Sequence, residues 1–427
     1  MKYFIGNWKM FGVPKSINII KKINFFHLKD KNRKKYRIII TPPYILLETF
    51  SKYFKNKKIL IGSQNCYQKD HFSSNTAAIS PYMLKSVGAK CTLVGHSDNR
   101  SEGDTNQMLK NKVNFALKNK IEQFNVESIE ELKTIAKIAE QINTSANIAL
   151  RVNPDISAGG HPKISTGKKT DKFGIPISDA KNVYELAKKF KSLKIVGIDI
   201  HIGSQIRKLA PFKKAFKKVL SFCIELDKLG FNIKNIDLGG GIGINYDTDE
   251  QDQKFLIEYT NLIKSTFKNT NKKIILEPGR FLVANAGILV ASVLYKKTID
   301  SKNFLIIDAG MNDLMRPALY DARHIIRPLK KKAKDKTVKK FEVVGTVCET
   351  ADIVVKNTNL YKSVQQGDYY FIDKAGAYGH VMASSYNSKS IAGEIMVNRN
   401  DYSVVKKRID PEDILKFEKI APWLKKN

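Results

Sequence analysis

A (β/α) barrel followed by an antiparallel β-domain is the α/β architecture that this sequence predicts, and three observations carry it. Short apolar runs alternate with amphipathic stretches through the first two-thirds of the 427-residue chain, the pattern of βαβ units around a parallel sheet. After about residue 285 the texture changes to apolar runs separated by turns, with few helical stretches, as in an antiparallel domain. Hydrophobic residues make up 42%, enough for a sizeable core and too many for a largely disordered chain.

Taken in order, strands are expected at Tyr3–Gly6, Arg37–Thr41, Ile59–Gly62, Cys91–Val94, Phe124–Val126, Ile148–Val152, Val196–Ile202, Asn235–Leu238 and Ile274–Leu276. Helical patterns lie between them, for example Ser128–Gln141 and Asp179–Phe190. In the β-domain, strands are expected at Ile288–Tyr295, Phe304–Ile307, Lys340–Val344 and Asp368–Ile372, with a closing amphipathic helix near Asp410–Leu424. The barrel strands number nine, whereas a (β/α) barrel closes with eight. Strand number, tilt and stagger are linked, so a ninth strand does not fit into a closed barrel unaided.

The formal charge is +33, but 63 of the 74 basic residues are Lys and only 11 are Arg. A nucleic-acid reader is expected to use more Arg, whose planar fork suits phosphates and base edges. The charge therefore reads as lysine spread over solvated faces, and the basic stretches Lys29–Arg37 and Lys330–Lys340 as exposed loops or strand edges. Cys66, Cys91, Cys223 and Cys348 show no Cys-x-x-Cys spacing, so neither a disulfide framework nor a metal site is expected. No apolar run reaches membrane-spanning length, and the N-terminus reads as a strand entering a fold rather than a signal peptide. A soluble, cytoplasmic protein with no nucleic-acid or membrane partner is the expectation.

The motifs explain the surplus strand. Phe4-Ile-Gly-Asn-Trp-Lys-Met10, Ile40-Thr-Pro-Pro43, Ile61-Gly-Ser-Gln-Asn-Cys66, Ile79-Ser-Pro-Tyr-Met-Leu84 and Leu93-Val-Gly-His-Ser97 are specific in order and spacing. With them, residues 1–120 resemble the front half of triosephosphate isomerase, a TIM-type barrel of which four βα units are present. The resemblance implies Asn7 and Lys9 at the substrate end of the first strand. It also implies His96 as a neutral imidazole that polarises a carbonyl. Two departures oppose isomerase activity. The family's glutamate base, its lid and its phosphate-holding glycine loops have no counterpart here, and Asp98 stands where the family has Glu.

From about Ile121 the motifs change. Phe124-Asn-Val-Glu-Ser128, Leu150-Arg-Val-Asn-Pro154, His161-Pro-Lys-Ile-Ser-Thr-Gly167 with Lys172-Phe-Gly174, His201-Ile-Gly-Ser-Gln205, Asp237-Leu-Gly-Gly-Gly241 and Glu277-Pro-Gly-Arg280 follow one another. Beyond them stand Asp308-Ala-Gly-Met-Asn-Asp313, Arg316-Pro-Ala-Leu-Tyr320, Cys348-Glu-Thr350 and Ala375-Gly-Ala-Tyr378. This ordered series resembles diaminopimelate decarboxylase, an alanine-racemase-like family that uses pyridoxal 5′-phosphate. Residues 121–284 would supply its barrel segments and residues 285–427 its β-domain with the closing helix. Glycines directly after a strand let bare backbone approach a phosphate, which suits Gly239, Gly240 and Gly241.

The resemblance implies further roles. Glu277 would bond the cofactor's ring nitrogen, His201 would stack on its ring, and Arg280 and Tyr378 would complete the cofactor contacts. Arg280, Arg316, Tyr320, Glu349 and Tyr378 match positions that hold the amino-acid substrate, where the arginine fork suits carboxylates. Cys348 matches a cysteine that protonates the product carbanion from the partner subunit, which implies a homodimer. The implied reaction is decarboxylation of meso-2,6-diaminopimelate to L-lysine.

One essential piece is absent. The family's cofactor lysine lies in a Tyr-Ala-Val-Lys-Ala-Asn-like strand, and neither it nor the two segments after it occurs in this sequence. Four isomerase-like strands stand in their place beside the five that remain, which accounts for nine. The chain thus reads as a barrel assembled from two families and imperfectly closed. Lys9, at the end of the first strand, is the residue placed to take over the cofactor's aldehyde. Two alternatives stand beside the decarboxylase reading: an isomerase remnant without its base, and a non-catalytic hybrid that dimerises or fails to fold stably.

Overall fold

The computed structural model describes residues 2–8, 16–31, 33, 36–55, 59–69, 78–92, 105, 108, 111–112, 123–159, 166–167, 171–246, 250–330, 337–421 and 423. The chain forms two compact units, residues 1–243 with 252–279 and residues 244–251 with 280–427.

In the first unit, β1 (Lys2–Asn7), β2 (Tyr36–Thr41), β3 (Ile59–Ile61), β4 (Phe124–Val126), β5 (Ala146–Asn153), β6 (Ile175–Pro176), β7 (Leu193–Asp199), β8 (Asn235–Asp237) and β9 (Lys273–Leu276) share one sheet. The order is β3-β2-β1-β9-β8-β7-β5-β4, with β6 beside β5, and every pairing is parallel. First strand beside last is the connection a (β/α) barrel requires. It is made by Tyr3 opposite Ile275 and Phe4 opposite Leu276. Beyond β3 the expected strand Cys91–Val94 survives as the parallel bridge between Ser63 and Thr92, residues 93–94 lying outside the described ones. Among the described residues no pairing joins that end of the sheet to β4.

Helices α1 (Ile17–Lys29), α2 (Tyr44–Phe54), α3 (Pro81–Ser86), α4 (Ile129–Gln141), α5 (Ile177–Lys188), α6 (Leu209–Lys228) and α7 (Glu250–Thr266) connect these strands. Each long helix is amphipathic, and α6 shows what its buried face does. Phe212 and Phe216 pack on Tyr259 of α7 at ring separations of 4.9 and 6.0 Å, and Phe216 also meets Phe267 at 5.9 Å. Burying such side chains stabilises by about 1.5–3 kcal/mol each. Ser128 caps α4, its side chain accepting from the Glu131 N–H at 3.2 Å.

Several boundaries differ from expectation, three of them with an identifiable consequence or cause. Strand β7 starts earlier, at Leu193, and stops at Asp199 rather than Ile202. Ile200, Ile202 and Ile206 stay buried in the loop that follows, so the apolar run continues after the ladder has ended. Gly203, at φ +144°, and Gln205, at φ +58°, turn that loop. Helix α5 begins at Ile177, two residues before Asp179, because Pro176 with φ −52° sets the chain for a helix entry. The stretch Lys29–Arg37 is only partly loop: Lys29 ends α1 and Arg37 lies in β2.

In the second unit, α8 (Arg280–Val283) precedes β10 (Leu289–Ile299), β11 (Lys302–Ile307), α9 (Arg316–Tyr320), β12 (Ile326–Pro328), β13 (Val338–Val344), β14 (Ile353–Tyr361) and β15 (Tyr369–Ile372). These strands form a sheet in the order β12-β15-β10-β11-β13-β14 around a core that includes Val293, Leu305, Ile307, Val343, Val364 and Ile372. The sheet is mixed rather than wholly antiparallel, since β11 and β13 run parallel. The crossover that this demands contains α9 and β12. Strands β16 (Glu394–Asn398) and β17 (Asp401–Lys406) form a separate hairpin.

The closing helix is far shorter than expected. It is α10 (Pro411–Leu415), with a capping box between Asp410 and Asp413. Most helical stability comes from burying an apolar face, and Phe417 and Ile420, which would form that face beyond Leu415, are exposed.

Candidate active site

Three consecutive strands of the first unit deliver the cofactor residues. His201 follows β7, Gly239–Gly241 follow β8 and Glu277 follows β9, all at the carboxyl end, where barrel sites form. Gly239 and Gly241 have φ of +62° and +91°, which glycine alone adopts at little cost. A Cβ on Gly240 would stand 2.2 Å from the Glu277 carbonyl oxygen, and one on Gly241 2.4 Å from that of Gly203. The turn is therefore pressed against its neighbours and has no room for a side chain.

Two of its amide protons are engaged locally, contrary to the expectation of bare backbone. Gly239 N–H donates to Asp237 Oδ1 at 3.0 Å, and Gly240 N–H donates to His201 Nδ1 at 3.2 Å. Nδ1 acts as acceptor, so a neutral His201 carries its proton on Nε2. The imidazole thus covers the glycine turn.

Inside the same barrel lies a polar cluster drawn from motif residues to which the sequence reading gave no role. Arg151, on β5, meets Glu127 at 2.5 Å and Asp199 at 4.0 Å. Asn125, on β4, donates to Asp237 at 3.4 Å. Burial alone would lower the Arg151 pKa, but Asp199, Glu127 and Glu277 outweigh it and hold it above its ordinary value. Desolvation pushes the Glu277 carboxyl upward, with Arg151 opposing and Glu127 adding to the rise. Burial also lifts Asp199 and Asp237 well above the usual carboxylate range, helped in each case by the charge of Glu277. Among the described residues Asp199 Oδ1 is buried without a hydrogen-bond partner. A charged residue in the apolar strand Ala146–Asn153 was the available signal, because an inward charge on such a strand needs a partner.

Of the candidate substrate residues in the second unit, Arg280, Arg316 and Tyr378 are brought together around Tyr246. Arg280 lies over the Tyr378 ring at 4.7 Å and donates through Nη1 to the Tyr246 hydroxyl at 3.0 Å. Arg316 lies over the other partner of that hydrogen bond, the Tyr246 ring, at 4.6 Å. Its Nη1 stands 2.6 Å from His324 Nε2. Burial, with Arg280 as a like charge, lowers the Arg316 pKa to about 10. Tyr320 ends α9, four residues beyond Arg316. Cys348 is exposed and free, and its neighbour Glu349 accepts a hydrogen bond from Tyr386. Tyr378 has φ +58°, an uncommon value for an aromatic residue.

The isomerase-like residues are less visible. Asn7 ends β1 opposite Thr41, while Lys9 and His96 lie outside the described residues.

The donor set fits pyridoxal phosphate. A glycine turn that excludes side chains, an imidazole over it and a desolvated carboxyl at the next strand end suit a phosphate, an aromatic ring and a ring nitrogen in turn.

Comparison with known proteins agrees. Residues 105–284 match the family described as pyridoxal-dependent decarboxylase, pyridoxal binding domain, and residues 2–152 match triosephosphate isomerase. Among curated relatives, the diaminopimelate decarboxylase of Zymomonas mobilis is 42% identical over 313 residues, 73% of each chain. That of Haemophilus influenzae is 43% identical over 305 residues, 71% of this chain and 72% of its own. The crystal structure of the Helicobacter pylori diaminopimelate decarboxylase complexed with L-lysine superposes with a TM-score of 0.71 at 30% identity. It spans 97% of this chain and 89% of that one. The diaminopimelate decarboxylase from M. jannaschii gives 0.73 at 27% identity over 96% and 92%.

Proposed function

The chain belongs to the diaminopimelate decarboxylase family, and from that premise we propose that it is a pyridoxal phosphate-dependent carboxy-lyase releasing carbon dioxide and L-lysine from meso-2,6-diaminopimelate. The observation that carries this reading is the placement of His201, Gly239–Gly241 and Glu277 at the ends of three neighbouring strands. The glycine turn would hold the phosphate, as the family resemblance implies. Bound there, the cofactor supplies an electron sink for the pair left behind as carbon dioxide departs.

The protein's own groups do the rest. Glu277 stays beside Arg151, which supports its charged form against desolvation, so it can accept a hydrogen bond from a protonated ring nitrogen. Arg280 and Arg316 offer guanidinium forks to substrate carboxylates. Cys348, exposed on the second unit, is the proton donor that a partner copy would receive. This is the ground for proposing a homodimer, which sedimentation velocity tests directly. No helix among the described residues is long and apolar enough to cross a membrane, in keeping with a cytoplasmic enzyme.

The chain is proposed to be a hybrid. Residues 1–120 form a triosephosphate-isomerase-like half barrel, residues 121–284 the decarboxylase barrel segments and residues 285–427 the β-domain. The two family matches overlap across residues 105–152, and the join near residue 120 falls inside that overlap. The isomerase-like half brings no glutamate base, so isomerisation is disfavoured. It also displaces the strand that carries the family's cofactor lysine. Turnover is accordingly expected to fall by orders of magnitude below that of a complete relative.

Adding pyridoxal phosphate to the purified protein, followed by borohydride reduction and peptide mapping, tests this reading. A shifted cofactor absorbance is expected. A label on Lys9 identifies the replacement lysine, and a label elsewhere or none removes Lys9 from that role. An unchanged spectrum would favour the non-catalytic hybrid.

A further inference from the structure

We propose that His324 is the positioning residue that holds Arg316 ready for a carboxylate. The inference deepens the reading above, in which Arg316 receives the substrate. Both side chains are buried, His324 at 5% exposure and Arg316 at 3%. His324 Nδ1 lies 2.9 Å from the Asp373 carbonyl oxygen. A carbonyl oxygen has no proton to give, so Nδ1 carries the proton and donates. In the neutral ring, Nε2 then presents a lone pair, and it is this atom that Arg316 Nη1 approaches at 2.6 Å. The backbone of Asp373 thereby fixes the tautomer, and the tautomer fixes the guanidinium.

The choice of a neutral acceptor matters chemically. A carboxylate in the place of His324 would neutralise Arg316 and compete with an incoming carboxylate for the same fork. An imidazole orients the guanidinium and leaves its charge undiminished. Tyr246 completes the frame. Its ring stacks beneath Arg316 at 4.6 Å and takes the edge of His324 at 4.9 Å and 67°. Among the described residues Arg316 Nε is buried without a hydrogen-bond partner. Burial first, then the facing Arg316 and Arg280 guanidiniums, disfavour protonation of His324, with the Asp373 carbonyl opposing.

The test uses the full chain with pyridoxal phosphate and measures binding of L-lysine and meso-diaminopimelate by calorimetry. His324→Leu fills the space but removes the acceptor, and binding is expected to weaken about tenfold to a hundredfold. His324→Gln keeps an acceptor near the Nε2 position and is expected to restore binding to within a few-fold. Arg316→Gln separates the two readings. If Arg316→Gln weakens binding but His324→Leu does not, the positioning role is overturned while the carboxylate site stands. If Arg316→Gln has no effect, the carboxylate reading fails and this inference with it. Nitrogen-15 spectra of histidine in the unaltered protein give a readout independent of the variants' folding. A neutral Nδ1–H tautomer that disappears in His324→Gln is expected. An Nε2–H or doubly protonated His324 at neutral pH overturns the proposal.

Discussion

Gly240 leaves no space for a methyl group, since its Cβ would fall 2.2 Å from a backbone oxygen that cannot swing away. Gly240→Ala is therefore expected to cost about 1–3 kcal/mol of stability and to abolish the cofactor absorbance change. Denaturant unfolding and a pyridoxal phosphate titration measure the two effects. His324 makes a second prediction, with a definite sign. Burial, then Arg316, lowers its pKa to about 4, so the folded protein binds fewer protons than the unfolded chain between that value and about 6.5. Stability is lost as pH falls through this window, by on the order of 3 kcal/mol. His324→Gln should flatten the acid limb of a melting-temperature profile. Asp199 and Asp237 act oppositely. Their pKa values are raised by burial, so they favour the folded state at low pH and oppose it as pH rises.

At this scale the sequence disclosed unevenly. Glycines directly after a strand carry their chemistry locally, whereas the roles of His201 and Glu277 come from the family resemblance. Arg151, Asn125 and His324 show theirs in neither way, because their partners are 24, 112 and 8 residues away, and only folding shows which of the chain's charges meet.

Helix α6 shows what an element contributes beyond its own hydrogen bonds. Phe216 is fully buried and touches three aromatic rings, those of Phe212, Tyr259 and Phe267. Phe216→Ala is expected to cost about 3–5 kcal/mol, read from the midpoint of urea unfolding at unchanged slope. Elements of this kind were legible because apolar spacing and caps are local. Ser128 and the run after it announced α4, which ends at Gln141 as expected. Elements decided by long-range pairing were not. Strands β12, β14, β16 and β17 carry mixed polar and apolar residues that resemble loops until neighbouring strands are placed. The parallel pairing of β11 with β13 leaves no mark in either strand. The closing helix failed because its apolar residues Phe417 and Ile420 stay exposed, and an unpacked apolar face contributes little to helical stability.

For the whole molecule, the strand count was the informative quantity. Nine expected strands conflicted with an eight-stranded barrel before any coordinates. Among the described residues the sheet then shows pairing across β1 and β9 but none between Thr92 and β4. The pairing between β1 and β9 comprises two residue pairs, against six between β1 and β2 and six between β5 and β7. Pairings within each part range from two to six residue pairs and the one between them comprises two, so the sheet need not open all at once. Local opening free energies vary across a structure and follow such cooperative blocks. Native-state hydrogen exchange should find the amides of β2 and β3 exchanging through an event of lower free energy than those of β5, β7 and β8. A single common exchange energy would instead show that the two rungs at Tyr3 and Phe4 bind the parts into one foldon. In the former case the chain would lose its first part to transient opening while the strands bearing His201, Gly239–Gly241 and Glu277 stayed protected. A protease would then cut it into a durable fragment and a perishable one.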